Sequence, residues 1–270
     1  MTSVGFPHAG VRMSTTWEER SALSPREGAV PPEALSDGMP AFYRRTLDLE
    51  QRRALDAFLR PRQGERFLDV GCGEGRWSLV LGSRGASVVG VDRSPARVRK
   101  ARRRAAEDGL GARCRFEVAD LPSLDLGERF DSILVVNVLE GIQEPERLFE
   151  AVLRLRSHLL PQGRLILLEA APSRPESDPV EGRGFESYLQ LFRDTSLRLV
   201  GLRGVDPARF RNLLAPYCLK LPRPLAAVSL AALTALSLPV DLLLGRLLTG
   251  ASWHKVFVLT RDDEDPCAPS

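Results

Sequence analysis

The stretch that decides the fold is Phe67-Leu68-Asp69-Val70-Gly71-Cys72-Gly73-Glu74-Gly75. A short apolar run ends in a glycine cluster, and a helical pattern follows from Trp77 to Leu81, so the order is strand, tight turn and helix. Glycine can take a positive φ and lets a ligand approach the backbone closely. The amide hydrogens at the start of the following helix attract anionic groups. The stretch therefore predicts a cofactor site.

A second apolar stretch, from Ala86 to Val91, ends at Asp92, whose carboxylate can accept both hydroxyls of a ribose. Asp69 and Asp92 then stand near the carboxyl ends of adjacent parallel strands, where open α/β sheets bind ligands. The first competing interpretation is a nicotinamide or flavin site with the spacing G-x-G-x-x-G. Here the spacing is G-x-G-x-G, and a carboxylate two positions before Gly71 would repel a pyrophosphate. The same carboxylate could support the ammonium end of a nucleoside that carries an amino acid.

This motif resembles the first motif of the class I S-adenosylmethionine (SAM)-dependent methyltransferases. Three later segments resemble that family's third strand, its fourth strand with the loop that follows, and the turn into its fifth strand. They are FEVADLP at 116–122, RFDSILVVNVLE at 129–140 and LLPQGRLI at 159–166. The resemblance implies an α/β fold with a Rossmann-like, seven-stranded, mostly parallel sheet, helices on both faces and right-handed crossovers.

The resemblance also implies SAM as the cofactor and assigns residues of the glycine turn and the second strand to it. Asp69 would support the methionine end, and Gly71 and Gly73 would let the chain pass close to that end. Asp92 would bind the ribose hydroxyls, with Arg93 beside the adenine.

Three further residues complete the cofactor site that the resemblance implies. Asp120 and Leu121, after the third strand, would define the adenine edge. Asn137, after the fourth strand, would lie under the methionine moiety.

The proton acceptor for methyl transfer is harder to assign, because alcohols and amines must lose a proton whereas phenols and carboxylates need little help. The two candidates are Glu140, at the end of the fourth strand, and His254, beside an insertion near the end of the chain. Many small-molecule methyltransferases of this type read LEH where this chain has Leu139-Glu140-Gly141, so the histidine of those relatives is missing at 141.

Composition narrows the class of protein and its partners. The four cysteines share no metal-ligand spacing and suggest no disulfide framework, so we expect no metal and a reducing cytoplasm. A net charge of +3 is too small to indicate nucleic acid by itself. The basic run from Arg97 to Arg104 has no interleaved aromatic residues and is typical of a solvated helix face, so we expect no nucleic-acid partner.

The chain divides into three parts by composition. Residues 1–38 are rich in Pro, Ser, Gly and charge and predict a disordered leader. Residues 39–205 and 252–262 are expected to form the SAM-binding methyltransferase domain. Residues 206–251 separate the last two predicted strands and form an apolar helical cap or a membrane-associating insertion.

Within that insertion, Leu225 to Leu238 carries no charge. Fourteen helical residues cover only about 21 Å, a bilayer crossing needs about 20 apolar residues, and Pro239 and Asp241 argue against one straight spanning helix. Two interpretations stay open besides a true crossing. The insertion is a helical cap over the acceptor pocket, or a hairpin that dips into one leaflet. Both favour a hydrophobic acceptor.

The sequence as a whole predicts a SAM-dependent methyltransferase that acts on a hydrophobic small molecule, at oxygen, such as a quinone, a polyketide or another secondary metabolite. We expect it in the cytoplasm, with the inner face of the membrane as a second place of contact, and in an oligomeric state that the sequence leaves open. The alternative is a membrane-associated SAM-binding or scaffold protein that keeps the fold without turnover.

Overall fold

The computed structural model of the chain describes residues 41–173, 183–207, 214–215, 217–218, 220–244 and 247–262. The predicted leader, residues 1–38, lies outside the described residues.

Seven strands form one sheet in the order β3-β2-β1-β4-β5-β7-β6. The strands are β1 Arg66–Val70, β2 Ser87–Asp92, β3 Cys114–Val118, β4 Phe130–Val136, β5 Leu159–Ala170, β6 Leu197–Gly204 and β7 His254–Arg261. Neighbouring strands are parallel from β3 to β5, and β7 runs antiparallel to both β5 and β6. The prediction of a seven-stranded, mostly parallel sheet is confirmed.

Six α-helices accompany the sheet in the described part of the chain. They are α1 Ala41–Leu55, α2 Arg76–Ser83, α3 Pro95–Glu107, α4 Pro145–Ser157, α5 Phe185–Asp194 and α6 Arg223–Leu244. Buried side chains of α1, α2 and α3 pack in one core, and those of α4 and α5 pack in the other. Strand residues alternate between these cores: Phe67 belongs to the first, and Leu68 to the second. Helices therefore cover both faces of the sheet, as predicted.

The strand order reverses between β1 and β4, and this fixes where a ligand can bind. β1 pairs with β2 on one side and with β4 on the other, so the connections from their carboxyl ends leave in opposite directions. The crevice outside such a switch point is the usual ligand site of an open α/β sheet. The glycine turn follows β1 and Asn137 follows β4, which puts both at this crevice.

The insertion between β6 and β7 contains α6, a continuous helix of 22 residues that includes Pro239. Pro239 and Asp241 thus lie within one continuous helix, and the expectation that they argue against one straight spanning helix stays a prediction. A proline in a helix interior removes a hydrogen bond and costs about 3 kcal/mol, but here the ring lies on the exposed side. The opposite side packs through Leu230 against Leu47 of α1, and this packing keeps the helix in place. Among the described residues, this is the one helix long and apolar enough to cross a membrane by length and composition alone.

Candidate active site

The glycine turn after β1 has the backbone conformation that its sequence suggests. Gly71, Gly73 and Gly75 all have positive φ angles, of 69°, 56° and 83°. A Cβ at Gly71 would lie 2.3 Å from Val138 Cγ2, whereas one at Gly73 would meet no atom of the described residues within 4 Å. Gly71 therefore lets the turn pack against the loop after β4. Gly73 borders open space on the side where a ligand would approach.

Asp92 connects the end of β2 to this turn. Its Oδ2 accepts the backbone N–H of Gly73 at 2.9 Å, and its Oδ1 accepts the backbone N–H of Ser94 at 2.8 Å. A carboxylate has about four acceptor positions, so each oxygen can still accept a hydroxyl donor. The carboxylate is nearly buried beside the turn, where an additional hydrogen bond would be shielded from water.

Asp69 has a different environment, beneath the turn rather than beside it. The side chain is buried, and its Oδ2 accepts a hydrogen bond from the hydroxyl of Ser78 in α2 at 2.5 Å. Burial raises the pKa of Asp69 from 3.8 to about 7, and the Ser78 hydrogen bond opposes this rise. The residue thus ties β1 to α2 and supports the turn from below.

The residues expected at the adenine end lie at the ends of β2 and β3. Arg93 is exposed, directly after Asp92. Asp120 is also exposed and forms an ion pair with Arg147 of α4 at 3.5 Å, whereas Leu121 is buried in the core. The backbone N–H of Ala119 donates to the carbonyl of Asp92 at 3.2 Å, which holds the two strand ends together. Of the residues predicted to lie near the adenine, Asp120 and Arg93 therefore expose polar side chains at this edge of the sheet.

Asn137 begins the loop after β4 with a positive φ of 53°, which is rare for a residue with a side chain. Its backbone N–H donates to the carbonyl of Leu168 in β5 at 2.9 Å. Its side chain is exposed at the crevice between β1 and β4.

The loop that follows is held by Glu169, a buried carboxylate near the end of β5. Its Oε1 accepts the backbone N–H groups of Val138 and Leu139 at 3.0 and 3.1 Å, and its Oε2 accepts that of Glu140 at 3.2 Å. Burial, together with the nearby carboxylate of Glu140, raises the pKa of Glu169 from 4.5 to about 8. One carboxylate thus fixes the backbone that lies across from the glycine turn.

The two candidate proton acceptors both adjoin the end of β5. Glu140 reaches it from the β4 side, where its Oε2 accepts the backbone N–H of Ala170 at 3.4 Å. His254 reaches it from the other side, because it is the residue of β7 that pairs in register with Ala170. The two candidates therefore flank one backbone position, on the same edge of the sheet as the glycine turn.

His254 is held by a second carboxylate, Asp206, just after β6. Asp206 Oδ2 lies 2.7 Å from His254 Nδ1, and Asp206 Oδ1 accepts the backbone N–H of His254 at 2.7 Å. Asp206 is buried, whereas the imidazole is 24% exposed. An ionised Asp206 favours the proton on Nδ1, which makes Nε2 the basic nitrogen. This is the arrangement that orients a histidine general base.

Sequence reasoning missed three residues that hold this site: Ser78, Glu169 and Asp206. A signal existed for Glu169, because a lone carboxylate interrupts the apolar run of β5. Asp206 also follows directly on a predicted strand. The partners of Glu169 and Asp206 are 29 to 48 residues away along the chain, so nothing local in the sequence indicates which groups these two carboxylates bind.

The arrangement fits SAM when tested residue by residue. The turn leaves space at Gly73, Asp92 offers acceptors for vicinal hydroxyls, and the loop after β4 presents the exposed Asn137 opposite the turn. No positively charged side chain occupies the turn itself, as a pyrophosphate would favour. Among the described residues, no cluster of three or more His, Cys, Asp or Glu could hold a metal ion.

Comparison with known proteins agrees with this geometry. Residues 67–163 match the family model described as "Methyltransferase domain". The chain is 37% identical over 118 residues to a ubiquinone biosynthesis O-methyltransferase of Cereibacter sphaeroides, which covers 43% of this chain and 45% of that protein. It is 38% identical over 112 residues to the 23S rRNA (uracil(1939)-C(5))-methyltransferase RlmD of Aromatoleum aromaticum, which covers 36% of this chain and 26% of that protein. The chain thus spans less than half the length of these two curated relatives.

Among solved structures, the fold is similar to that of an O-methyltransferase from a trans-AT polyketide synthase multienzyme of Brevibacillus brevis, in complex with S-adenosyl-L-homocysteine. The TM-score is 0.55 at 19% identity, and the alignment covers 87% of this chain and 81% of that one. At this identity the likeness concerns the fold alone. The matched domain, the glycine turn and the sheet order together support a class I SAM-dependent methyltransferase.

Proposed function

We propose that this protein is a SAM-dependent methyltransferase that methylates an oxygen of a hydrophobic small molecule, such as a quinone, a polyketide or another secondary metabolite. The observation that carries the proposal is the pairing of His254 with Asp206 on the sheet edge that also bears the glycine turn. A base held there serves transfer to a hydroxyl, which must lose its proton. The name of the Cereibacter relative, an O-methyltransferase of ubiquinone biosynthesis, supports oxygen as the acceptor atom.

The proposal gives each part of the site a task. SAM supplies an electrophilic methyl group. Asp92 would accept the ribose hydroxyls, Asp120 would face the adenine, and Asn137 would support the methionine end. Holding both reactants in line contributes several kcal/mol to such a reaction. Glu169 contributes indirectly, because it fixes the backbone that carries Asn137 and Glu140.

His254 would act as the base. Its Nε2 would take the proton of the acceptor hydroxyl while Asp206 holds Nδ1–H and stabilises the imidazolium that forms. Glu140 is the competing base, but its carboxylate contacts Ala170 and lies beside the buried Glu169. We therefore assign a structural role in the loop to Glu140 and the role of general base to His254.

Three substitutions distinguish the two bases. His254→Ala should lower kcat by about 10²–10⁴-fold, the usual contribution of a general base, and leave SAM affinity unchanged. Asp206→Asn should lower kcat and shift the pH–rate profile, because the ring loses its oriented tautomer. Glu140→Gln should leave the pH–rate profile in place. If Glu140→Gln shifted the pH–rate profile and the substitutions at His254 and Asp206 did not, the base would be Glu140.

The second candidate function is a membrane-associated SAM-binding or scaffold protein without turnover. The specific observation in its favour is Gly141, which stands where many relatives have a histidine. An RNA acceptor, suggested by the name of the Aromatoleum relative, has less support in this chain. In the basic run on α3, Lys100 contacts Glu74 at 2.7 Å, and Arg102 donates to the carbonyl of Phe116 at 2.6 Å, so part of the run is engaged within the protein.

The deciding experiment incubates the purified protein with methyl-labelled SAM and an extract of the source cells. The extract is then separated into organic, aqueous and precipitated macromolecular fractions. Label in the organic fraction supports the proposal. Label in the macromolecular fraction would indicate that the acceptor is RNA or protein and not a small molecule. Tight SAM binding without any transfer would favour the scaffold alternative.

A further inference from the structure

Helix α6 has its polar side inside and its apolar side outside. At 100° per residue, Leu225, Val228, Leu236 and Leu243 fall within about 80° of one another around the helix axis. These four side chains are 56–72% exposed. A surface helix of a globular protein normally presents its polar side to water, so this orientation favours contact with an apolar partner.

The opposite side of α6 carries its polar residues and is buried. Thr234, Ser237 and Asp241 fall about 120–180° from Leu225 and are at most 7% exposed. The hydroxyls of Thr234 and Ser237 donate to the carbonyls of Leu230 and Thr234, at 2.7 and 3.4 Å. Both bonds lie within α6 and satisfy hydroxyls on its buried side. The burial of this side and the packing of Leu230 against Leu47 of α1 argue against a separate membrane crossing, in which lipid would surround the helix.

An apolar cavity of about 390 Å³ extends the exposed surface beside α6. Tyr217 and Leu221 line it from the segment before the helix, and Leu233 and Leu236 line it from α6. Because Tyr217 and Leu236 are also strongly exposed, the cavity opens on the same surface as the outer leucines. A contiguous apolar surface of this kind indicates an interaction site.

The charges of the insertion decide which partner fits. Residues 206–251 contain five basic residues, Arg209, Arg211, Lys220, Arg223 and Arg246, and two acidic ones, Asp206 and Asp241. Both acidic side chains are buried. In the sequence, Lys220 precedes α6, Arg223 is its first residue and Arg246 follows it, so the sequence around the apolar helix is basic. An apolar helix with a basic flanking sequence is suited to an interface of acyl chains and anionic headgroups.

We propose that α6 docks this protein on the surface of an anionic lipid bilayer, with the helix in the plane of the interface and its outer leucines among the acyl chains. β6 ends and β7 begins at the sheet edge that carries His254 and the glycine turn, and the insertion connects these two points. Docking would therefore bring the candidate site beside the membrane, where a hydrophobic acceptor is dissolved. The docking itself does not depend on methyl transfer.

Vesicle flotation of the full chain tests this proposal. The vesicles are phosphatidylcholine alone or phosphatidylcholine with about 30% phosphatidylglycerol, in low and in high salt. The wild-type protein should float with the anionic vesicles and less with the neutral ones, and high salt should weaken the binding. The triple variant Leu225→Gln, Val228→Gln and Leu236→Gln should lose at least about tenfold in bound fraction.

A matched control changes exposed apolar residues elsewhere: Leu153→Gln, Val200→Gln and Leu202→Gln. This variant should float like the wild type. SAM binding by each variant reports whether it is folded, so a loss of flotation with SAM binding intact concerns α6 alone. Equal flotation of both triple variants would overturn the proposal, as would a dimer in solution that only the α6 variant dissociates. In the second case the surface is an interface between two copies of the chain.

Discussion

At the scale of single residues, this site depends on carboxylates that bind backbone amides before any ligand arrives. Asp92 accepts two backbone N–H groups beside the glycine turn, and Glu169 accepts three in the loop opposite. Hydrogen bonds to a charged group are worth about 1.5–3 kcal/mol each, and those to Glu169 reach this value only above its pKa of about 8, where the group is ionised. The cofactor would therefore meet a backbone that is already in position.

Asp69 makes the stability of the fold depend on pH. Its pKa is near 3.8 in the unfolded chain and about 7 in the folded protein, so the folded state holds the proton more tightly. Its contribution to the free energy of unfolding is complete below about pH 4 and is lost as the pH rises towards 7. The loss is on the order of 4 kcal/mol, since a pKa difference of one corresponds to about 1.4 kcal/mol.

Asp69→Asn removes this titration. Urea unfolding at several pH values should show the variant gaining stability relative to the wild type between pH 5 and pH 8. Asp108→Asn, at an exposed helix end, is the control and should track the wild type. A constant difference between Asp69→Asn and the wild type across this range would contradict the assigned environment.

Gly71 and Gly73 have the same sign of φ but different surroundings, and this predicts different effects of adding a Cβ. Gly73→Ala should cost about 1–2 kcal/mol of stability for the left-handed backbone alone. Gly71→Ala should cost more, because its Cβ would lie 2.3 Å from Val138 Cγ2. Val138→Ala, combined with Gly71→Ala, should recover part of that difference in urea unfolding. Equal losses for the two single variants would show that Val138 does not limit the turn.

The residue scale also shows what sequence can and cannot predict. The glycine turn could be named from its local spacing and Asp92 from the apolar stretch that it ends, whereas Asn137 was implied by the family resemblance of its segment. Asp206 and Glu169 could not, because their roles depend on partners brought together only by the sheet. His254 was named from its type and position, but the feature that suits it as a base, its contact with Asp206, is a tertiary one.

At the scale of elements, α6 is where tertiary packing outweighs a local preference. Proline is unfavourable in a helix interior, yet α6 is continuous for 22 residues and its opposite side packs against α1 through Leu230. The strands, in contrast, were predicted closely, because apolar runs between glycine and proline signals fix their positions. The burial of Thr234, Ser237 and Asp241 could not be predicted, because composition alone does not indicate which side of a helix faces the protein.

The position of Pro239 on the exposed side of a continuous helix predicts the effect of Pro239→Ala. Alanine restores a backbone donor and a better helix former on the exposed side, so the free energy of unfolding in urea should rise by about 1–3 kcal/mol. Ala235→Gly, one turn earlier on the exposed side, should instead lower it by about 1 kcal/mol. If Pro239→Ala destabilised the protein, the helix would need a proline kink at this point.

At the scale of the whole molecule, the sheet order explains why distant motifs meet. The order 3-2-1-4-5-7-6 places the ends of β1 and β4 side by side, and the antiparallel β7 brings His254 to the same edge from its amino-terminal end. The family resemblance predicted the strand number and the helices on both faces. It could not predict the insertion, because those residues lie outside the resembling motifs.

The most direct test of the central claim is calorimetric titration of SAM into the wild-type protein and into Asp92→Ala. We expect one SAM per chain and an affinity about 10–100-fold weaker in the variant, the effect of losing a charged hydrogen-bond acceptor. Asp125→Ala, at an exposed aspartate in a loop, should bind like the wild type. No SAM binding by the folded wild-type protein, or an unchanged affinity in Asp92→Ala, would contradict the account.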